Sequence, residues 1–327
     1  MRYRVLGRTG LKVSELGIGG HEYRRWLNPQ HFPAEWNRKR FLETQLQRNK
    51  LIERAIDAGV NFFDTTLPAE AESLGFALKA LGRRKDVHVS AMMVSPFKTL
   101  RESPASGWRD IVSGWVEERL RLLQTDYIDV FNIHLPENDY SRERLKVTLQ
   151  VLGEIKDQGK IRAVGASCHA PKFLAELMRK YDCFDSVMIR YNYQLQEARE
   201  AIFPLCKALD VGIVVMKPFS WPYYGISFSR FCPADVKAGG YTPVQTSLRG
   251  VLSSPEVTTV VMGINGLDEL EENLAAIGKE GKLDEEVLKL CLEIAQGSEG
   301  RKRLRELVKH PAIDISAYAK RALEEGN

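Results

Sequence analysis

Two kinds of apolar pattern alternate along this chain. Short runs rich in β-branched residues predict buried strands, and longer segments with apolar residues every three or four positions predict amphipathic helices. The predicted strands cover residues 16–19, 60–63, 87–91, 128–133, 161–165, 186–190, 212–216 and 258–262. The predicted helices cover residues 51–58, 72–81, 108–123, 145–158, 171–181, 197–209, 243–252 and 267–277. Strand and helix therefore alternate along most of the chain.

This alternation predicts a fold of the α/β class. Eight strands, each followed by a helix after a short connection, favour a closed (β/α)8 TIM barrel. A doubly wound open sheet would instead be favoured by a glycine-rich dinucleotide-binding turn after the first strand, and residues 17–21 do not supply one. Residues 3–14 predict a small β-hairpin, which would plug the bottom of the barrel.

Two segments interrupt the alternation, and both follow a predicted strand. Residues 21–49 form an enlarged loop after the first strand, and residues 220–241 follow the seventh. Both are expected at the C-terminal face of the barrel, where barrel enzymes bind ligands. Residues 283–327 predict a charged helical extension outside the barrel. We expect a single domain over residues 1–327, with a barrel core over about 1–280.

Composition excludes several functional classes. The chain has 327 residues, 44% of them apolar and 28% charged, as expected of a soluble globular protein. The net charge of +4 and the lack of a long basic run give no indication of nucleic-acid binding. The start of the chain lacks a signal-peptide pattern and no apolar run could span a membrane, so the expected location is the cytoplasm. Five scattered cysteines without a C-x-x-C pair argue against disulfides and a metal site.

Several motifs occur in an order that is typical of one family. They are the opening segment 6–14, the segment 60–66 with Asp64, the segment 126–134 with His134, the segment 159–167 with Ser167, and the closing segment 260–274. Together they resemble the aldo-keto reductase superfamily over roughly residues 1–280. The resemblance implies a (β/α)8 barrel, NAD(P)-dependent oxidoreduction and a small-molecule substrate.

The resemblance is incomplete at the catalytic residues. Members of the family use an Asp-Tyr-Lys-His tetrad, in which Tyr donates a proton and a Lys paired with the Asp lowers the pKa of that Tyr. Asp64 and His134 match the family's Asp and His. Met92 stands where the Lys is expected, and no Tyr occurs between Asp64 and Tyr127. Loss of a general acid costs roughly two to four decades of rate, so the acid/base set must be rearranged if the chain is an enzyme.

The resemblance also implies a site for NAD(P)(H), with changes at the nicotinamide end. Ser167 matches the Ser that holds the nicotinamide carboxamide in the family. Its usual Asn neighbour is Cys168, Met188 replaces a common Gln, and Met216 replaces an aromatic that stacks on the nicotinamide. Lys217 could contact the pyrophosphate or take over the role of the missing Lys, and a structural salt bridge is the alternative.

The adenosine end of the implied site falls in the closing motif. Its expected cofactor contacts are Asn265, Glu269, Glu272 and Asn273, of which the last two suit the adenine edge. Glu269 stands where Arg or Gln often lies beside the 2′-phosphate. A carboxylate there would repel a phosphate and could accept from ribose hydroxyl groups. The choice between NADH and NADPH stays open.

The enlarged loop supplies further candidates. Tyr23 could act as a replacement acid, with packing of the loop onto the barrel rim as the alternative. Arg24, Arg25 and Trp26 are predicted substrate-binding residues, since guanidinium groups suit a carboxylate or phosphate. The two arginines could equally lie in solvent beside nearby acids.

Two acids follow Asp64 closely. Glu72 fits the first turn of the next helix, where the helix dipole favours an acid, while Glu70 stays undecided between a cap and an acid/base role.

The leading hypothesis is an NAD(P)-dependent oxidoreductase that acts on a polar sugar-like or hydroxy-carbonyl substrate, which could be anionic. His134 would polarise the substrate oxygen, and Asp64 would have an acid/base or orienting role. Two alternatives remain open. One is a non-catalytic regulatory or interaction subunit, and the other is a non-redox isomerase or dehydratase on the same barrel. The sequence does not determine the oligomeric state.

Overall fold

A computed structural model gives the structure of residues 1–19, 38–192, 195–219, 241–264 and 266–277, with Lys302, Arg305, Lys309 and Lys320 as isolated positions. An antiparallel hairpin of β1 (Tyr3–Val5) and β2 (Lys12–Ser14) precedes a closed barrel of eight parallel strands. The barrel strands are β3 (Leu16–Gly19), β4 (Phe62–Thr65), β5 (His88–Met93), β6 (Ile128–His134), β7 (Ile161–Cys168), β8 (Ser186–Arg190), β9 (Gly212–Met216) and β10 (Thr259–Gly263). They pair in chain order, and β10 closes the barrel against β3.

Helices follow the barrel strands throughout the described part of the chain. They are α1 (Arg38–Asp57), α2 (Pro68–Leu81), α3 (Pro96–Arg101), α4 (Trp108–Leu123), α5 (Arg142–Asp157), α6 (Pro171–Lys180), α7 (Glu197–Ala201), α8 (Phe203–Ala208), α9 (Pro243–Leu252) and α10 (Leu267–Ala276). The architecture is the predicted (β/α)8 TIM barrel. No helix among the described residues is long and apolar enough to cross a membrane.

The hairpin closes the N-terminal end of the barrel, as the sequence predicts. Leu6 and Val13 are fully buried and pack against the inward-facing Val130 and Val214. The backbone amide of Arg8 donates to the carbonyl of Asp210, just before β9 begins, at 2.6 Å. With this end plugged, the opposite end is the face from which a ligand can enter.

The barrel interior changes character along its axis. Near the hairpin, the inward side chains are apolar, as Phe62 and Val130 show. Toward the C-terminal ends of the strands, buried polar side chains take over, among them Asp64, Asn132 and Ser167. Burying polar groups costs free energy unless they are hydrogen-bonded or used. The C-terminal face is therefore where the site must be sought.

The structure moves the predicted start of two helices by four residues or more. Helix α1 begins at Arg38, so the enlarged loop predicted over 21–49 is shorter than expected. Its first turns carry exposed Leu42 and Leu46 among polar residues, which weakens the apolar periodicity that sequence reasoning relies on. Helix α2 begins at Pro68 instead of residue 72, since proline suits the first helical position.

This earlier start decides between the two acids that follow Asp64. The Glu70 carboxylate accepts from the backbone amides of Thr66 at 2.7 Å and Leu67 at 2.9 Å. Glu70 thus caps the helix. The first-turn position that the sequence predicts for Glu72 belongs to Glu70, because the helix begins four residues earlier than predicted. The predicted helix over 197–209 is also divided, into α7 and α8, because Pro204 starts a new helix. The tail over 283–327, apart from its isolated positions, lies outside the described residues.

Candidate active site

His134 ends β6 at the mouth of the barrel. Its Nδ1 atom is buried and has no hydrogen-bond partner within the part of the chain that the structure describes. Burial, and then the positive charge of Lys217, lower the pKa of His134. The imidazole is therefore neutral at physiological pH, with one N–H to donate and one nitrogen to accept. A half-buried, neutral ring whose buried nitrogen has no partner among the described residues is suited to contact a ligand.

Lys217 and His169 lie beside His134. The Lys217 Nζ atom is 2.8 Å from Nε2 of His169, and an ammonium group can only donate, so the imidazole nitrogen accepts. The rings of His134 and His169 meet edge to face with their centroids 6.3 Å apart. Three groups that can carry a proton therefore gather at the ends of β6, β7 and β9.

The backbone of Lys217 is held in an unusual conformation. Its φ of 59° lies in the left-handed region, which a side chain with a Cβ disfavours. The Asn192 side-chain amide donates to the Lys217 carbonyl at 3.0 Å. Such conformations persist where the surroundings fix them, and they are frequent at functional sites.

Arg190 is a residue that sequence reasoning missed. It ends β8, pairs in register with Met216 of β9, and is only 5% exposed. His169, which follows β7 directly, is another. The signal that could have found both is their place at strand ends, the positions that line a barrel mouth.

The predicted nicotinamide residues come together on neighbouring strands. Ser167 is buried, and it pairs in register with His134 on one side and Met188 on the other. The Cys168 thiol is buried and bonded to the backbone of Ala170, whose amide donates to Sγ at 3.3 Å. It does not replace an amide side chain at the mouth. The role of Ser167 in holding a carboxamide stays a prediction.

Asp64 lies deeper in the barrel and is 6% exposed. The Ser90 hydroxyl donates to its Oδ1 atom at 2.7 Å. Met92, at the expected Lys position, faces inward and packs with the apolar inner cluster. The Met92 thioether thus lies in the apolar interior, and a serine takes part in holding the Asp64 carboxylate.

The adenosine-side candidates lie on α10. Glu272 Oε1 accepts from the hydroxyl of Thr242 at 2.7 Å, which ties α10 to the first turn of α9. Asn273 is 3% exposed, and its Oδ1 atom has no hydrogen-bond partner among the described residues. A buried amide oxygen without a donor fits the amino group of an adenine ring. Glu269 lies half-buried in the first turn of the same helix.

Five predicted site residues lie outside the described part of the chain. They are Tyr23, Arg24, Arg25 and Trp26 in the loop after β3, and Asn265 after β10. Their roles stay predictions. Among the described residues, no cluster of three or more His, Cys, Asp or Glu side chains could hold a metal ion.

Known proteins are similar to this chain in sequence and in architecture. The sequence model of the Aldo/keto reductase family matches residues 35–222. YqkF, an uncharacterized oxidoreductase of Bacillus subtilis strain 168, is 23% identical over 88% of this chain and 94% of its own. L-galactose dehydrogenase of Arabidopsis thaliana is 23% identical over 84% of this chain and 87% of its own. The holo form of the aldo-keto reductase AKR11C1 from Bacillus halodurans superimposes with a TM-score of 0.67 at 22% identity, over 90% of this chain and 96% of that one.

The match to the family covers more than half of the chain. The protein therefore belongs to the aldo/keto reductase family, a family of oxidoreductases. The replacement of the family's lysine by Met92 stays a prediction.

Proposed function

We propose that this protein is an NAD(P)-dependent oxidoreductase that acts on a polar, anionic or sugar-like hydroxy-carbonyl substrate. The observation that carries the proposal is the neutral, half-buried His134 at the barrel mouth, whose buried Nδ1 atom has no hydrogen-bond partner among the described residues, next to Lys217 and His169. A ligand oxygen at this mouth would meet both a neutral imidazole and a cationic donor. These are the groups that polarise and protonate a carbonyl oxygen.

The fit of a nicotinamide nucleotide rests on Asn273 and Ser167. The Oδ1 atom of Asn273, which has no partner in the described part of the chain, suits the adenine amino group, and Glu272 precedes it on α10. Ser167, next to His134 in the sheet, would hold the carboxamide. When bound, the nicotinamide would supply or accept the hydride. Lys217 would then lie near both the bound cofactor and His169.

Proton transfer would fall to the groups at the mouth. The His134 imidazole would hydrogen-bond the substrate oxygen and orient it. The Lys217 ammonium group, whose Nζ atom is 2.8 Å from Nε2 of His169, would supply the proton to that oxygen. Lys217 would thus combine the predicted cofactor contact with the charge that the missing Lys supplies elsewhere in the family. Asp64, which lies deeper in the barrel than the mouth, would have an acid/base or orienting role.

The substrate class follows from charge. Arg190 ends β8 and Lys217 directly follows β9 at the mouth, and cations there favour a substrate with a carboxylate or phosphate. The relative named L-galactose dehydrogenase supports a sugar-like compound. Asp268 and Glu269 place two acids in the first turn of α10, which favours NADH over the 2′-phosphate of NADPH.

An activity screen tests the proposal. Wild-type protein and a His134→Ala variant would be assayed with both cofactors against matched pairs of neutral and carboxylated hydroxy-carbonyl compounds. We expect turnover by the wild type, preference for the charged partner of each pair, and a loss of roughly two to four decades of rate in the variant. Equal rates in both proteins would remove His134 from the chemistry.

The same screen separates the alternatives. Conversion of a substrate without change in nicotinamide absorbance would support a non-redox isomerase or dehydratase. Cofactor binding with no turnover of any compound would support the regulatory subunit, in keeping with the replaced Tyr and Lys positions.

A further inference from the structure

Three polar side chains form a chain of hydrogen bonds across the barrel interior. The Asn132 amide nitrogen donates to Ser90 Oγ at 2.8 Å, and Ser90 donates to Asp64 Oδ1 at 2.7 Å. The three side chains are buried, and they come from β6, β5 and β4. Asn132 precedes His134 by two residues on the same strand, so the chain passes about 7 Å below the mouth.

The hydrogen bonds of this chain run in one direction. An ionised carboxylate only accepts, so the Ser90 hydroxyl must give its proton to Asp64. The hydroxyl oxygen then faces Asn132 as an acceptor, and only the amide nitrogen of Asn132 can satisfy it. Each donor polarises the next, which strengthens the bond that reaches the charge.

Gly165 on β7 provides the space for Asn132. A Cβ atom at position 165 would lie 2.0 Å from Asn132 Oδ1 and 3.0 Å from Ser186 Oγ. Gly165 and Asn132 pair in register, so neither backbone can move away without disturbing the barrel. Any larger residue at 165 would therefore push the Asn132 amide away from Ser90 and break the hydrogen bond between them.

We propose that Ser90 and Asn132 are positioning residues, which hold the Asp64 carboxylate ionised and oriented in place of the lysine that Met92 replaces. The arrangement uses neutral donors in the interior, where Met92 leaves apolar surface. The catalytic use of Asp64 rests on the proposed function, whereas its support by Ser90 and Asn132 does not.

The test follows the protonation of Asp64 directly. Protein carrying isotope-labelled Asp carboxyl carbons would be titrated by NMR, with the Asp64 signal assigned from an Asp64→Asn variant. A hydrogen bond to the charged form favours ionisation, so Ser90→Ala should move the protonation midpoint of Asp64 upward by about one unit. Asn132→Leu should move it in the same direction by less.

Thr65→Val is the matched control. The Thr65 hydroxyl is equally buried and donates to the backbone carbonyl of Ser90 at 3.1 Å. It takes no part in the hydrogen bonds that run from Asn132 through Ser90 to Asp64. Its loss should leave the midpoint of Asp64 unchanged. A shift as large as that of Ser90→Ala would mean that any lost hydroxyl loosens this region, and it would overturn the proposal.

Gly165→Ala gives an independent test, because it removes no polar group. It should reproduce the shift of Asn132→Leu, and the two changes combined should shift the midpoint no further than either alone. Additive shifts would contradict the proposal. If Gly165→Ala does not fold, Ser90→Ala against Thr65→Val still decides.

The outcome is separable from that of the proposed function. The titration needs no substrate or cofactor, so an inactive protein could still show the predicted shifts. Conversely, an active enzyme whose Asp64 midpoint ignores Ser90 would keep its function and lose this inference.

Discussion

Two aspartates are buried on strands of the same barrel, and their surroundings differ. Asp129, near the N-terminal end of β6, is fully buried and ion-paired with Arg84 at 2.9 Å and Arg162 at 2.8 Å. The backbone amide of Val89 also donates to it at 2.9 Å. Asp64, nearer the mouth, accepts a hydrogen bond from the neutral hydroxyl of Ser90. One carboxylate is ion-paired with two arginines, and the described hydrogen bond of the other comes from a neutral hydroxyl group.

The difference separates a carboxylate that stabilises the fold, Asp129, from one that can take part in chemistry, Asp64. Burial by itself would raise the pKa of Asp129, but the hydrogen bond with His88, the charge of Arg84 and the Val89 amide outweigh it and lower the pKa. The Tyr127 ring contacts both arginines, and its centroid is 4.1 Å from Cζ of Arg84 and 4.2 Å from Cζ of Arg162. These contacts fix the two guanidinium groups further. A carboxylate so compensated stabilises the fold and is unavailable for proton transfer.

The largest expected effect is on rate at Asp64. If Asp64 acts in the chemistry, Asp64→Asn should lower kcat/KM by roughly two to four decades while stability changes little. Asp129→Asn should leave kcat nearly unchanged. Steady-state kinetics with urea unfolding of both variants would measure this, and equal kinetic losses would erase the distinction between the two aspartates.

The next effect is on stability at Asp129. Asp129→Asn leaves Arg84 and Arg162 without their carboxylate, and we expect a loss of about 2–4 kcal/mol at neutral pH, since both arginines are partly exposed. Because the folded-state pKa is lowered, the contribution of Asp129 is fully present above the unfolded value near 4 and is lost as the pH falls through the folded value.

Unfolding at a series of pH values measures this dependence. The gap between wild type and Asp129→Asn should be widest at neutral pH and shrink below about pH 4. A gap that stays constant into the acid range would show that the ion pairs contribute little.

Much of the fold could be read from the sequence, because strand and helix periodicities are local. The predicted strands over 128–133 and 186–190 match β6 and β8 to within one residue. Helix starts were less predictable, since the cap at Glu70 depends on amides that only the turn before α2 brings together. The contact of Lys217 with His169 joins residues 48 positions apart, and no local pattern indicates it. The same holds for the chain from Asn132 to Asp64.

The smallest expected effect concerns the charge at the mouth. Burial and then Lys217 lower the pKa of His134, so Lys217→Met should raise that pKa by a few tenths of a unit to about one unit. Burial remains, so the pKa should stay below the ordinary value. NMR titration of the His134 ring would measure the shift. Lys160→Met, which breaks a surface pair with Glu117, is the control and should leave it unchanged.

The most direct test of the account is calorimetric titration of NADH and NADPH into wild-type protein and an Asn273→Leu variant. Asn273 Oδ1 has no described partner to lose, so the variant should fold with nearly unchanged stability. The account predicts micromolar binding of at least one cofactor by the wild type, and binding weakened roughly tenfold in the variant. No binding to the wild type at millimolar cofactor would contradict it and leave a barrel of this family without its redox function.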